Sequence, residues 1–331
     1  MIIRTQAYPR AALIGNPSDG YFGKTIAFTF DNFRAETTLF ESPELEIQPS
    51  RRDGSLFESL DALADDVRLF GYYGGIRLIK AALKCFHAYC REKGIQLHDR
   101  NFTIRYCSNI PNLVGLAGSS AIITSCMRAV MAFYGVQIPK PQLANLIRDV
   151  ENRELGIAAG LQDRVAQVYQ GLVYMDFNRE LMERQGYGRY ESLDPSLMPP
   201  LYIAYRTDLS EGSEVFHNNI RERFQRGDSE VVEAMRAWAE LTDKAREALE
   251  ARDYERLGRM MDENFDRRAR LYRLCEGNLR MVQVACEAGA SAKFPGSGGA
   301  IVGIYPDEAV FERLKERLGA MQVEVIRPRL V

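Results

Sequence analysis

The chain has 331 residues, of which 46% are hydrophobic and 27% charged, a balance that disfavours disorder, a collagen-like repeat and a membrane-spanning array. Its 43 Lys and Arg against 45 Asp and Glu leave a formal net charge of −2, so no bulk field draws it to nucleic acid or an anionic membrane, and any polyanion site must be local. At roughly 100–200 residues per domain the length points to two domains.

In chain order, 2–8, 11–14, 26–30, 34–40 and 45–49 read as short strands separated by turn residues. From 75 to 93 the apolar residues Ile76, Ile79, Leu83, Phe86 and Cys90 recur at helical steps, and Gly94 ends the run. A strand over 101–107, a Gly-rich loop and a helix with Ile122, Ile123, Cys126, Met127, Val130 and Phe133 on one face follow. Pro139 and Pro141 open a helix reaching Glu154; a short helix at 161–169 and a strand at 172–175 come next. Asp194-Pro195 and Pro199-Pro200 look like a boundary. Nearly half of residues 228–273 are charged, which predicts solvated faces of long helices; there Arg267, Arg268, Arg270 and Arg273 read as helix-surface partners of the interleaved acids. The end, 290–331, reads strand, glycine turn, strand, helix, strand.

The six cysteines, Cys85, Cys90, Cys107, Cys126, Cys275 and Cys286, show no Cys-x-x-Cys pair and no histidine at zinc spacing, so reduced core thiols are expected. His87, His98 and His217 are too scattered to suggest a metal site or a serine-hydrolase triad. Without an apolar leader and cleavage site, the expected compartment is the cytoplasm. No short segment identifies a protein partner.

Three segments carry chemistry. Residues 111–121, Pro-Asn-Leu-Val-Gly-Leu-Ala-Gly-Ser-Ser-Ala, lie between an expected strand and helix, where backbone N–H groups can converge on an anion. Glycines admit close approach of phosphate, and the paired serines can cap the helix or offer a hydroxyl to Mg²⁺; no Gly-Lys-Ser/Thr closes it as a Walker loop. Taken alone, the stretch is equally a helix cap. Lys293-Phe-Pro-Gly-Ser-Gly-Gly-Ala, between two expected strands, is by itself a hairpin turn or a second anion loop, and Arg10 to Asp19 joins an apolar strand to a polar loop.

In this order the three segments resemble the motifs of the GHMP kinases, the family of galactokinase, homoserine kinase, mevalonate kinase and phosphomevalonate kinase. Within it, Asn16-Pro-Ser-Asp-Gly-Tyr-Phe-Gly-Lys, Gly71-Tyr-Tyr-Gly-Gly-Ile-Arg, Leu97-His-Asp-Arg-Asn-Phe-Thr and Gly160-Leu-Gln-Asp-Arg-Val-Ala-Gln-Val-Tyr look like segments of the plant-type glucuronokinases. The resemblance implies an α+β, two-domain fold: an N-terminal ribosomal-protein-like α/β domain with a left-handed βαβ unit over 1–195, and a ferredoxin-like domain over 196–331. It implies ATP and Mg²⁺, with Pro111, Gly115, Leu116, Ala117, Gly118, Ser119, Ser120, Gly296, Ser297 and Gly298 on the nucleotide. Ser120 and Glu151 would hold the metal, with Glu154 contesting the second place; Asp163 would be the carboxylate at the attacking hydroxyl, faced by Arg10. Asn16, Ser18 and Asp19, with Asp163, would meet the substrate. Lys293 is either a contributor to charge neutralisation or a surface residue.

The implied reaction is ATP-dependent phosphorylation of D-glucuronate at its anomeric hydroxyl, giving glucuronate 1-phosphate and ADP, with a small sugar acid as substrate, neither nucleic acid nor membrane as partner, and the oligomeric state left open. A neutral hexose, a heptose phosphate, galacturonate or mevalonate are alternative acceptors, and a non-catalytic nucleotide or sugar sensor is the alternative class. Many galactokinase-like relatives place an acid and a histidine where this chain has Asn16-Pro17; a neutral amide there avoids repelling a substrate carboxylate.

Overall fold

The computed structural model describes residues 1–50, 53, 57–70, 74–206 and 214–331. Residues 71–73 of the 71–77 segment and the side chain of His217 lie outside the described residues. Numbering elements along the chain, two compact units emerge, both discontinuous: Met1–Pro9, Phe33–Asn112 and Ala117–Val168 form the first, and Arg10–Asn32, Leu113–Leu116 and Tyr169–Val331 the second. The blocks 1–195 and 196–331 stand as a proposed division of the sequence, distinct from these packing units.

The first unit is built on a sheet in the order β1 (Ile2–Ala7), β4 (Ala35–Glu41), β6 (Phe102–Ser108), β5 (Glu46–Gln48). Only β5–β6 is a parallel pair, and helices α1 (Leu60–Phe70) and α2 (Ile76–Glu92) lie between those strands in sequence, so this is a βαβ unit. Strand β4 alternates buried Ala35, Thr37 and Leu39 with more exposed neighbours, the period of a half-covered sheet. Helix α3 (Gly118–Tyr134) packs on β1 and β4 and buries Ile123, Cys126, Met127, Val130 and Phe133 of the stripe its spacing predicts, with Ile122 only partly buried. The helix expected to reach Glu154 instead splits into α4 (Lys140–Asp149) and a π-helical turn, Val150–Glu154. There Ile157 N–H reaches the Glu151 carbonyl, and Asn152 and Ala159 exchange two hydrogen bonds that fasten the chain after the turn. Helix α5 (Gln162–Tyr169) follows.

The second unit has two sheets. One runs β2 (Arg10–Ile14), β3 (Lys24–Thr29), β7 (Leu172–Asp176), β8 (Arg189–Leu193), antiparallel throughout. The other runs β10 (Ala300–Ile304), β9 (Leu201–Tyr205), β11 (Glu324–Ile326), and Lys293 bridges Val302 on the open side of β10. Helix α6 (Arg179–Gln185) joins β7 to β8; with α7 (Glu214–Gln225), α8 (Ser229–Glu250), α9 (Tyr254–Leu271) and α10 (Glu276–Glu287) between β9 and that bridge, and α11 (Glu308–Gly319) between β10 and β11, the order is β-α-β-β-α-β, a ferredoxin-like pattern. Asp228, Asp253 and Asp307 cap α8, α9 and α11 by accepting from Val231, Arg256 and Val310 N–H groups.

Two expectations need correction. The charged stretch 228–273 does form long helices with solvated faces, but Asn264 and Arg268 are buried, because their face of α9 lies against the second unit's core. The cysteines are all free, yet only Cys90 and Cys126 are buried; Cys107 and Cys286 are exposed.

Candidate active site

The segment 111–121 divides between the units: Pro111 and Asn112 belong to the first, 113–116 to the second, and Ala117 onward again to the first.

In the first unit Ala117 takes a left-handed conformation, φ 62, that turns the chain into α3 without a side-chain cap. The first N–H groups of the helix are thus left for another acceptor. The Ala117 carbonyl accepts from Gln167 Nε2 at 2.8 Å and from Ser120 Oγ at 3.2 Å. Ser120 is fully buried, whereas Ser119 is exposed and donates to Glu151 Oε1 at 2.8 Å. Of the two serines it is Ser119, not Ser120, that shares Glu151, because the helical step places their hydroxyls on different faces. Glu151, on the π turn, is 1% exposed; its other carboxylate oxygen is held by Arg164, which also donates to Gly160 O at 2.9 Å and to Asp163 Oδ2 at 3.2 Å. Arg164 thus orders both acids. Asp163 keeps a partly exposed side chain at the start of α5. Glu154 instead pairs with Lys84.

The donor set suits a hard cation. Ser119 Oγ and Glu151 Oε1, 2.8 Å apart, are both oxygen donors of the kind Mg²⁺ takes and would hold it together with phosphate oxygens. Among the described residues no group of three or more His, Cys, Asp or Glu is arranged to hold a metal ion by itself.

In the second unit the two glycine segments meet. A Cβ on Gly115, at φ +70, would lie 2.8 Å from Ser297 N, and one on Gly296 only 2.1 Å from the Gly115 carbonyl oxygen. Arg10, 5% exposed, ties the segments: Nη1 donates to Gly115 O at 2.8 Å and Pro295 O at 2.7 Å, and its N–H reaches the carbonyl of buried Leu116. Lys293 is fully buried, not a surface residue. Its Nζ donates to Ala12 O, Asn16 Oδ1 and Phe294 O at 2.8, 2.6 and 2.9 Å. Burial, then the nearby Arg268 and Arg10, pushes its pKa well below the ordinary lysine value.

The first-segment residues fare unequally. Asn16 is 3% exposed and its amide is engaged on both sides, accepting from Lys293 and donating to Phe294 O at 3.1 Å. Ser18 is buried and exchanges hydrogen bonds with the Lys24 backbone. Those two side chains hold the loop together, which the sequence reading of them as substrate contacts did not anticipate; Asp19 alone of the three is half-exposed. Sequence reasoning also missed Arg164 and Gln167, and it misread Arg268. Only the adjacency of Arg164 to Asp163 offered a signal.

Residues 77–171 match the family model described as GHMP kinases N terminal domain, and residues 245–323 match GHMP kinases C terminal. The chain is 45% identical over 313 residues to "Probable glucuronokinase 2" of Arabidopsis thaliana, covering 92% of this chain and 85% of that protein. Over 311 residues it is 43% identical to "Glucuronokinase 1" of the same plant, with the same coverage of 92% and 85%. Among solved structures, the Methanococcus jannaschii mevalonate kinase superposes with a TM-score of 0.73 at 20% identity, covering 100% of this chain and 98% of that one. The Lactococcus lactis galactokinase complexed with galactose does so with a TM-score of 0.75 at 15% identity, covering 99% and 93%. These two likenesses concern the fold.

Proposed function

The chain belongs to the GHMP kinase family and is a small-molecule kinase, and from that premise we propose that it phosphorylates D-glucuronate at the anomeric hydroxyl. The products are glucuronate 1-phosphate and ADP. The observation that carries this reading is the 45% and 43% identity to two glucuronokinases over 92% of the chain.

The residues support the chemistry in stated roles. Asp163, steadied on one oxygen by Arg164, orients the anomeric hydroxyl and receives its proton as the oxygen–phosphorus bond forms and the bond to the ADP oxygen breaks. The 115–120 and 296–298 segments bind the phosphates through backbone N–H groups. Ser119 and Glu151 would hold the Mg²⁺ that accompanies ATP, whose contribution when bound is to neutralise phosphate charge. Arg10 keeps the two glycine segments in register.

A coupled ADP-release assay with Mg-ATP over glucuronate, galacturonate, glucose, galactose and mevalonate tests the proposal. Glucuronate should have the largest kcat/KM. A larger value for any other acceptor overturns the substrate while leaving the kinase.

A further inference from the structure

Arg268 comes from a helix whose interleaved charges predict a solvated face, yet it is 4% exposed. Its Nη1 donates to Gly296 O at 2.8 Å and its Nη2 to Ser297 O at 3.3 Å. The guanidinium carbon lies 5.2 Å from the Phe294 ring centroid and 5.5 Å from that of Tyr272. Among the described residues both hydrogen-bond partners are neutral carbonyls, and Nε has no acceptor. Asp19 and Arg10 lie within electrostatic reach with opposite effects on it. A guanidinium buried on carbonyls is costly, since desolvation is offset only in part by ring faces and peptide dipoles. Structural glue alone is available more cheaply from a neutral side chain.

What the arrangement does to the backbone is specific. A trans peptide directs its C=O and the following N–H in opposite senses, and among the described residues the one cis bond is Asn16–Pro17. Arg10 takes the carbonyl of Pro295, and Arg268 takes those of Gly296 and Ser297. The N–H groups of Gly296, Ser297 and Gly298 are thereby turned from the cations, and none of the three has an acceptor among the described residues. Gly299 N–H, one residue on, is occupied by Asn278 Oδ1 at 3.0 Å. Successive unengaged N–H groups form a concavity suited to an anion.

We propose that Arg268 is a positioning residue for nucleotide binding: its fork holds two peptides of the 295–298 loop so that their N–H groups remain available to phosphate. This rests on the reading of the chain as an ATP-dependent kinase. The planar fork matters as well as the charge, because a lysine ammonium cannot hold both carbonyls in the same geometry.

The test compares the full chain with Arg268→Lys and Arg268→Gln, using calorimetric binding of the non-hydrolysable analogue AMP-PNP with Mg²⁺ and thermal unfolding to confirm folding. The Kd for AMP-PNP should rise at least tenfold in the folded Lys variant. In turnover, KM for ATP should rise by more than kcat falls, with KM for the sugar within about twofold. Unchanged AMP-PNP affinity in a folded variant overturns the proposal, as does a parallel loss of sugar and nucleotide affinity. Amide exchange of the wild-type chain needs no folded variant: exchange at 296–298 should slow on adding AMP-PNP, and unchanged exchange overturns the proposal. Glucuronate turnover is a separate readout. AMP-PNP binding without glucuronate phosphorylation refutes the substrate alone, whereas no AMP-PNP binding by wild type refutes the role of Arg268.

Discussion

Gly296 and Gly115 touch backbone to backbone: a Cβ on Gly296 would lie 2.1 Å from the Gly115 carbonyl oxygen. Gly118 differs, since its Cβ would meet Ile110 Cγ2 at 3.5 Å and Ile110 Cβ at 3.8 Å, ordinary contacts. Gly296→Ala should therefore destabilise by about 1–3 kcal/mol, as overpacking does. Gly118→Ala should keep native stability and still weaken AMP-PNP binding, because the added methyl stands where phosphate is proposed to approach. Thermal unfolding and calorimetry on both variants decide it; native affinity in Gly118→Ala would make that position a helix start and nothing more.

The paired serines should separate in a magnesium titration. Ser119→Ala removes the hydroxyl on Glu151 and should raise the Mg²⁺ concentration for half-maximal rate about tenfold, equivalent to about 1.4 kcal/mol. Ser120→Ala, at a buried hydroxyl bonded to Ala117 O, should act mainly on stability. The reverse order of effects would return the metal role to Ser120.

Asp163→Asn retains an oxygen for Arg164 but loses the proton acceptor. Its kcat should fall by about 10²–10⁴, with melting temperature nearly unchanged. A variant with near-wild-type kcat would remove Asp163 from the reaction.

Asn16 shows how burial changes a prediction. As a free substrate contact, an acid at this position would repel a uronate more than a neutral sugar. With the amide lodged against Lys293 Nζ at 2.6 Å, Asn16→Asp should instead favour the protonated form of that amine and pair with it. The ratio of kcat/KM for glucuronate over glucose should then change less than about threefold. A tenfold fall in that ratio would show that the side chain reaches substrate.

Burial raises the Asp262 pKa from 3.8 to about 6, opposed by its hydrogen bond from Ala292 N–H and reinforced by Asp266. A carboxyl with a raised folded pKa contributes stability below its unfolded value and loses it as pH rises through the folded value. Asp262→Asn keeps an acceptor for Ala292, so it should match wild type near pH 3.5 and gain on it between about pH 4 and 6. Above that the advantage should level at about 1 kcal/mol, reduced from the fully buried limit by solvent screening. Denaturant melts across this range test the sign; an advantage that shrinks with pH would refute it.

Local periodicity and local punctuation were readable from the chain by itself. The stripes of α2 and α3, the run of strands before them and the three glycine-bearing segments depend on neighbours within a few residues, and resemblance in those segments pointed to the family. The π turn at 150–154 was not readable, because a helix and its one-residue distortion share the same apolar pattern. Tertiary structure decided which polar side chains are interior. Arg268 and Lys293 sit in charged or glycine-rich sequence that reads as surface, and their partners, Gly296, Ser297, Ala12 and Asn16, are contributed largely by distant segments. Burial of a charge depends on whether packing brings it enough acceptors to offset desolvation, and that sum is taken over residues the chain assembles only on folding.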